Sequence, residues 1–115
     1  ELEQTTQEES SESIRERVVM AHKRQRERYE KEGFFYNSQI PAKKIATFCA
    51  LKKDEKRHMQ QIYETLNLSV RSYHKILKTA RTIADIEGSE EIRMEHLHEA
   101  ICYRSIDSNF WERRR

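Results

Sequence analysis

Glycine occurs twice and proline once in the 115 residues. That supply builds few turns, which argues against an all-β sandwich or a barrel. Nothing alternates with period two for long enough to make a strand. The two cysteines, Cys49 and Cys102, belong to no CxxC pair. No zinc site or redox motif is therefore visible, and each reads as a small buried apolar residue. Apolar runs stay far short of the roughly 18 residues that a membrane-spanning helix requires. A signal-peptide pattern is also missing, so a reducing cytoplasm is the default location. There is no GxxxxGK(S/T) phosphate loop, and two glycines could not make one. No HExxH motif occurs. His96 and His98 stand two apart, so on a helix they point to different sides and cannot share a metal. His22, His58 and His74 are isolated and read as surface or half-buried residues. No metal set is expected, and a stand-alone enzyme is not expected either.

Charged residues make up 37% of the chain and hydrophobic ones 36%. Thin helices with broad solvated faces, or a bundle with disordered ends, follow from that balance. The length suffices for one domain with a single modest core. The net charge of +2 hides an asymmetry. Glu1, Glu3, Glu8, Glu9 and Glu12 fall in the first twelve residues without a base, which leaves 22 bases against 15 acids in the remainder. A basic body suits an anionic partner, although helix faces are routinely rich in Lys, Arg and Glu without one. Residues 1–10 read as a disordered acidic lead-in, 11–104 as the helical domain and 105–115 as a basic, flexible tail carrying Trp111.

Within 11–104 the periodicity predicts four or five helices joined by short loops, hence an all-α bundle. Ser10, Ser11 and Ser13 offer caps for a first helix, with Ser13 and Glu16 at capping-box spacing. Its narrow stripe is Ile14, Val18, Ala21, Gln25 and Tyr29, and Gly33 is expected to end it. Phe34, Phe35 and Tyr36 form an aromatic loop. Pro41 opens a short helix to about Cys49, burying Ile45, Phe48 and Cys49. Asp54 can cap the next, which buries Met59, Ile62, Tyr63 and Leu66. The strongest helix starts at Ser69 and carries Ile76, Leu77, Ala80, Ile83, Ala84 and Ile86 to a stop at Gly88. Ile92 plugs a connector. A last helix to about Arg104 buries Leu97, Ala100, Ile101 and Cys102 or Tyr103.

Arg71 breaks a local rule. It lies in the first turn of the Ser69 helix, where a cation opposes the macrodipole. Helix starts bind anions through free N–H groups, and an arginine there adds a bidentate fork for phosphate. Leu68 to Arg71 is thus a candidate phosphate-facing corner, with Ser69 and Lys75 in support. The plainer alternative is a solvated arginine reaching back to an acid. Arg81 sits among apolar residues and has Asp85 four positions on as a natural partner. Arg24 and Arg28 of the basic first helix, together with Trp111, are candidate contacts to nucleic acid.

The run SVRSYHKILKTARTIADIEG (69–88) resembles the C-terminal domain of magnesium-chelatase-like, competence-associated AAA+ ATPases. IRMEHLHEAICYR (92–104) is similar to the family's closing helix, IRERV (14–18) and QRER (25–28) to its opening helix, and NSQIP (37–41) to its loop. Departures are mild: Ser13 and Ser72 stand where alanine is expected, and Ile86 where leucine is usual. The resemblance implies the helical lid that follows an αβα nucleotide-binding core. It implies that Arg71 is the second sensor arginine, meeting the γ-phosphate of ATP held with Mg by the core domain. A homo-oligomeric ring, usually a hexamer, is implied for the full protein, as is a link to DNA processing. The Walker motifs are missing, so the chain is expected to be a non-catalytic fragment of such a protein. Two alternatives stand beside the lid: a stand-alone basic helical module that binds nucleic acid, and a pure protein-interaction bundle.

Overall fold

A computed structural model describes the backbone of residues 10–114 and the side chains of residues 10–104. Among the described residues five α-helices follow one another: α1 (Ser11–Arg28), α2 (Ile45–Phe48), α3 (Lys53–Thr65), α4 (Val70–Glu87) and α5 (Met94–Arg114). Short 3-10 turns at Asn37–Gln39 and Ala42–Lys44 lie between α1 and α2. The all-helical bundle expected from the periodicity is borne out.

The helix ends follow their local chemistry. Ser10 caps α1 by accepting the Ser13 N–H at 3.0 Å, so the Ser13–Glu16 box is not the one used. The helix stops at Arg28 rather than at Gly33. Tyr29 turns into the core there, where its ring meets Phe34 at 4.8 Å and Phe48 at 5.0 Å. Asp54 does not cap α3. It lies inside the first turn with Glu55, where two carboxylates favour the helix dipole. Asn67 ends α3 in the left-handed region at φ 52°, and the Leu68 N–H reaches back to the Tyr63 carbonyl. Gly88 ends α4 in the same way at φ 82°. At the start of α5 the Arg93 N–H donates to His96 Nδ1 at 2.8 Å, the role a Glu takes in a capping box. His96 Nε2 faces Glu87 Oε1 at 3.0 Å, so a neutral ring protonated on Nε2 satisfies both contacts.

α4 is the hub and packs against α5, α1 and the Asn37 turn. Tyr29, Ile40, Ile45, Cys49, Met59, Leu68, Ile76, Leu77, Ala80, Ile92, Leu97 and Ala100 form the core. Three expected core residues lie outside it: Leu66 and Tyr103 are exposed, and so is Cys102. Leu66 stands at the C-terminal cap of α3, and Cys102 and Tyr103 lie on the outer side of α5 from Leu97 and Ala100. No glycine or proline interrupts the residues after Arg104, and α5 continues to Arg114.

A polar network lies at the α1–α4 contact. Asp85 is fully buried. Arg28 grips its carboxylate with two bonds, of 3.0 and 2.6 Å. Arg81 approaches at 3.1 Å, as its spacing predicts, and Asn37 Nδ2 donates at 2.9 Å. Burial works against the Arg28 charge, but the Asp85 carboxylate outweighs it and holds the guanidinium above its ordinary value. Arg81 also donates to the carbonyls of Ser89 and Glu90.

Asp85→Ala leaves two guanidiniums facing an uncharged interior. It is expected to lower unfolding free energy by about 3–5 kcal/mol, read as a shift in urea midpoint. Burial also pushes the Cys49 thiol up to about 11. Alkylation at neutral pH is therefore expected to modify Cys102 and spare Cys49 until the protein is unfolded, as peptide mapping would report.

Candidate functional site

The start of α4 is built by Ser69. Its backbone is extended, and its Oγ accepts the Ser72 N–H at 3.1 Å. The remaining N–H groups of this first turn have no intrahelical acceptor. Val70 and Arg71 follow, both exposed. Arg71 makes no hydrogen bond or ion pair with any described residue. The plainer alternative, a guanidinium folded back onto an acid, is therefore not the arrangement found.

Arg71 instead lines an open groove of about 680 Å³ along α4. His74, Lys75, Lys78, Thr79 and Thr82 continue the wall, and Val70, Ala42 and Ser38 complete it. None of the nine lining residues is acidic. Arg71, Lys75 and Lys78 fall at i, i+4 and i+7, one stripe of the helix. That stripe covers about 10 Å of helix axis. The Lys78 ammonium donates to the Ser38 carbonyl at 3.3 Å, which ties the groove floor to the Asn37 turn. Three cations without a carboxylate among them give the groove a basic wall whose length suits an anion longer than a single oxyanion.

Of the residues singled out from the sequence, the fold brings Arg71 and Lys75 together. Ser69 stands beside them as the helix cap and is not part of the groove wall. His74 and Lys78 were missed. Counting helical turns from Arg71 would have found both. Arg24 and Arg28 turn inward, against the expectation that they face nucleic acid. Arg28 holds the Asp85 carboxylate, and Arg24 Nη1 donates to the Asp85 carbonyl at 2.9 Å. A buried anion and a helix C-terminus attract these guanidiniums more strongly than solvent does. The Trp111 side chain lies outside the described residues.

A family model described as magnesium chelatase, subunit ChlI C-terminal, matches residues 8–104. The chain belongs to this family. The resemblance read from residues 69–88 and 92–104 is thereby borne out, and the matched range includes both the groove and the Asp85 network. An uncharacterized protein, YifB, of Salmonella typhimurium is 40% identical over 99 residues. That alignment takes in 86% of this chain and 19% of the relative. YifB of Escherichia coli is 38% identical, again over 86% of this chain and 19% of the relative. The competence protein ComM of Haemophilus influenzae is 39% identical over 98 residues, 85% of this chain and 18% of the relative. The chain thus spans about a fifth of the length of these curated relatives and corresponds to a C-terminal domain of magnesium-chelatase-like proteins. Among the described residues no helix is long and apolar enough to cross a membrane. Nor do three or more His, Cys, Asp or Glu side chains stand together so as to hold a metal ion.

Because Ser69 serves the helix and Arg71 serves nothing within the described fold, their substitutions should separate. Ser69→Ala is expected to cost about 1 kcal/mol of stability. Arg71→Ala should leave stability within about 0.5 kcal/mol, or raise it slightly by relieving the dipole clash. Paired denaturant titrations of the two variants would check this.

Proposed function

We propose that this domain is the lid of an AAA+ ATPase, and that its α4 groove meets the phosphates of a nucleotide supplied from outside the chain. The observation that carries the reading is Arg71: a guanidinium at a helix start, solvent-exposed, without an internal partner, at the head of a groove that has no acid. A terminal phosphate carries its charge on oxygens that accept bidentate bonds, which is the geometry a guanidinium offers. Lys75 follows one turn on and can take a second phosphate as a point charge. Free N–H groups of the first turn add donors of their own.

In this reading the domain performs no bond-breaking step alone. Phosphoryl transfer to water needs a bound Mg, a phosphate cradle and a positioned water. A core domain elsewhere in the longer protein holds ATP and Mg, within a homo-oligomeric ring located in the cytoplasm. The lid contributes a charge that arrives when the domain closes, so it stabilises the transition state more than the resting enzyme. Work on DNA by the parent machine belongs to the same proposal, and the name of the ComM relative, a competence protein, supports it.

The test is Arg71→Ala in the full-length protein. ATP turnover should fall by about tenfold or more while the domain stays folded. Arg71→Lys should recover only part of it, because an ammonium lacks the fork. Turnover equal to wild type in the alanine variant would remove the sensor role.

A further inference from the structure

The apolar side chains of the first half of α1 are left largely uncovered by the described residues. Ala21, Gln25 and Tyr29 are buried, yet Ile14 and Val18 of the same stripe are 44% and 36% exposed. Val19 and Met20 beside them are 57% and 43% exposed. The helix pairs antiparallel with α4, since Arg24 reaches the Asp85 carbonyl and its guanidinium lies against Gly88, whereas Arg28 lies on the Asp85 side chain. Residues 11–20 therefore overhang the end of α4. The aromatic loop adds to the patch: Phe35 is 60% exposed and Tyr36 37%, with Tyr36 ringed against His22 and Phe35 against Arg26. Among the described residues, six of the nine large hydrophobic side chains left exposed fall in these two segments.

We infer that this face, Ile14, Val18, Val19, Phe35 and Tyr36, is the seat of the domain that precedes this one in the longer polypeptide. An apolar patch of this size on a small charged domain marks an interface. Two observations choose the occupant. The curated relatives are about five times as long as the stretch they share with this chain, and the shared family is a C-terminal one. The bulk of such a polypeptide therefore enters at the N-terminal end, where the overhang stands. The exposed stripe is also in line with the buried one, so an element laid on it extends the existing core, as an intrachain neighbour does. The inference is independent of the phosphate reading, since none of the patch residues lines the Arg71 groove.

Accessibility in the full-length protein tests it. Val19→Cys and Phe35→Cys are made singly, and the rate of alkylation is compared with that of the same variant unfolded in urea. Protection of about tenfold or more at both positions, retained after dilution to monomers, is the expected result. Alkylation as fast as in the unfolded protein would overturn the inference. Protection that vanishes on dilution would also overturn it, in favour of a neighbouring copy. Neither outcome depends on ATP turnover, so the seat and the sensor can fail separately.

Discussion

The Asp85 carboxylate is the constraint on which the rest of the architecture turns. A lone carboxylate so buried would be prohibitively costly. Here two guanidiniums and an amide surround it, each brought by a different piece of chain. Arg28 comes from α1, Arg81 from the preceding turn of α4 and Asn37 from the first 3-10 turn. Asn37 passes the connection on: its Oδ1 accepts from Tyr29 and Arg28, its backbone N–H donates to Gln25 Oε1 at 2.9 Å, and its amide reaches Thr82 at 3.0 Å. Arg81 extends it to the connector through two carbonyls, leaving its buried Nε unpaired. Such networks contribute less net stability than their bond count suggests, because desolvation offsets most of the gain. What they contribute is uniqueness: few other arrangements of α1, the turn and α4 satisfy as many of these donors.

That uniqueness positions the groove. Residues 71, 75, 78, 82 and 85 form one stripe along α4. Its C-terminal end is covered by α1 and Asn37, with Thr82 and Asp85 beneath them. Its N-terminal end is left open. The cations of the groove and the buried carboxylate thus belong to the same face of one helix, and the length of the covering loop decides where burial stops. The Lys78 bond to the Ser38 carbonyl marks the border. Rotating α4 to improve the apolar contacts of Ile76 and Leu77 would tear Asp85 from Arg28. The direction in which Arg71 points is accordingly set some four turns away, at the other end of the helix.

How much of this could be read from the chain depends on sequence separation. Helix existence, the Ser69 cap, the Gly88 stop and the Arg81–Asp85 pair are local, spanning four residues or fewer, and all were legible. Arg28 to Asp85 spans 57 positions. Nothing in a basic helix distinguishes an arginine that will find a buried anion from one that will stay in water, so Arg24 and Arg28 looked like surface charge. Asp85 offered the better signal, as an acid among Ala84, Ile83 and Ile86 that required more than one counter-charge. The exposed Ile14 and Val18 have the opposite cause. Their periodicity continues the buried stripe of Ala21, Gln25 and Tyr29, but periodicity cannot tell whether a covering element lies within the chain. Arg71 was legible because it violates the dipole preference, and a residue that breaks a local rule without internal compensation directs attention outward.

The placement of the two unpartnered surfaces gives the domain a mechanical character. α4 is 18 residues long, roughly 27 Å, with Arg71 at its start and the α1 overhang beyond its end. Between them lies the Asp85 network, which locks α1 and α4 at a fixed angle, and a close-packed core that resists deformation. A body of this kind moves as a unit rather than bending in the middle. With one end seated on a neighbouring domain and the other facing a phosphate, a small rotation at the seat becomes a larger displacement of Arg71, in proportion to the length of the helix. Nucleotide contact and interdomain geometry would then be linked in both directions: whatever free energy the phosphate gains from the guanidinium is available to hold the domain in its closed position. The polar interior is what permits such rigidity in a chain with so few apolar residues. A small hydrophobic core alone would leave the contact between α1 and α4 free to slide, whereas a carboxylate held by two guanidiniums tolerates little displacement before its bonds are lost.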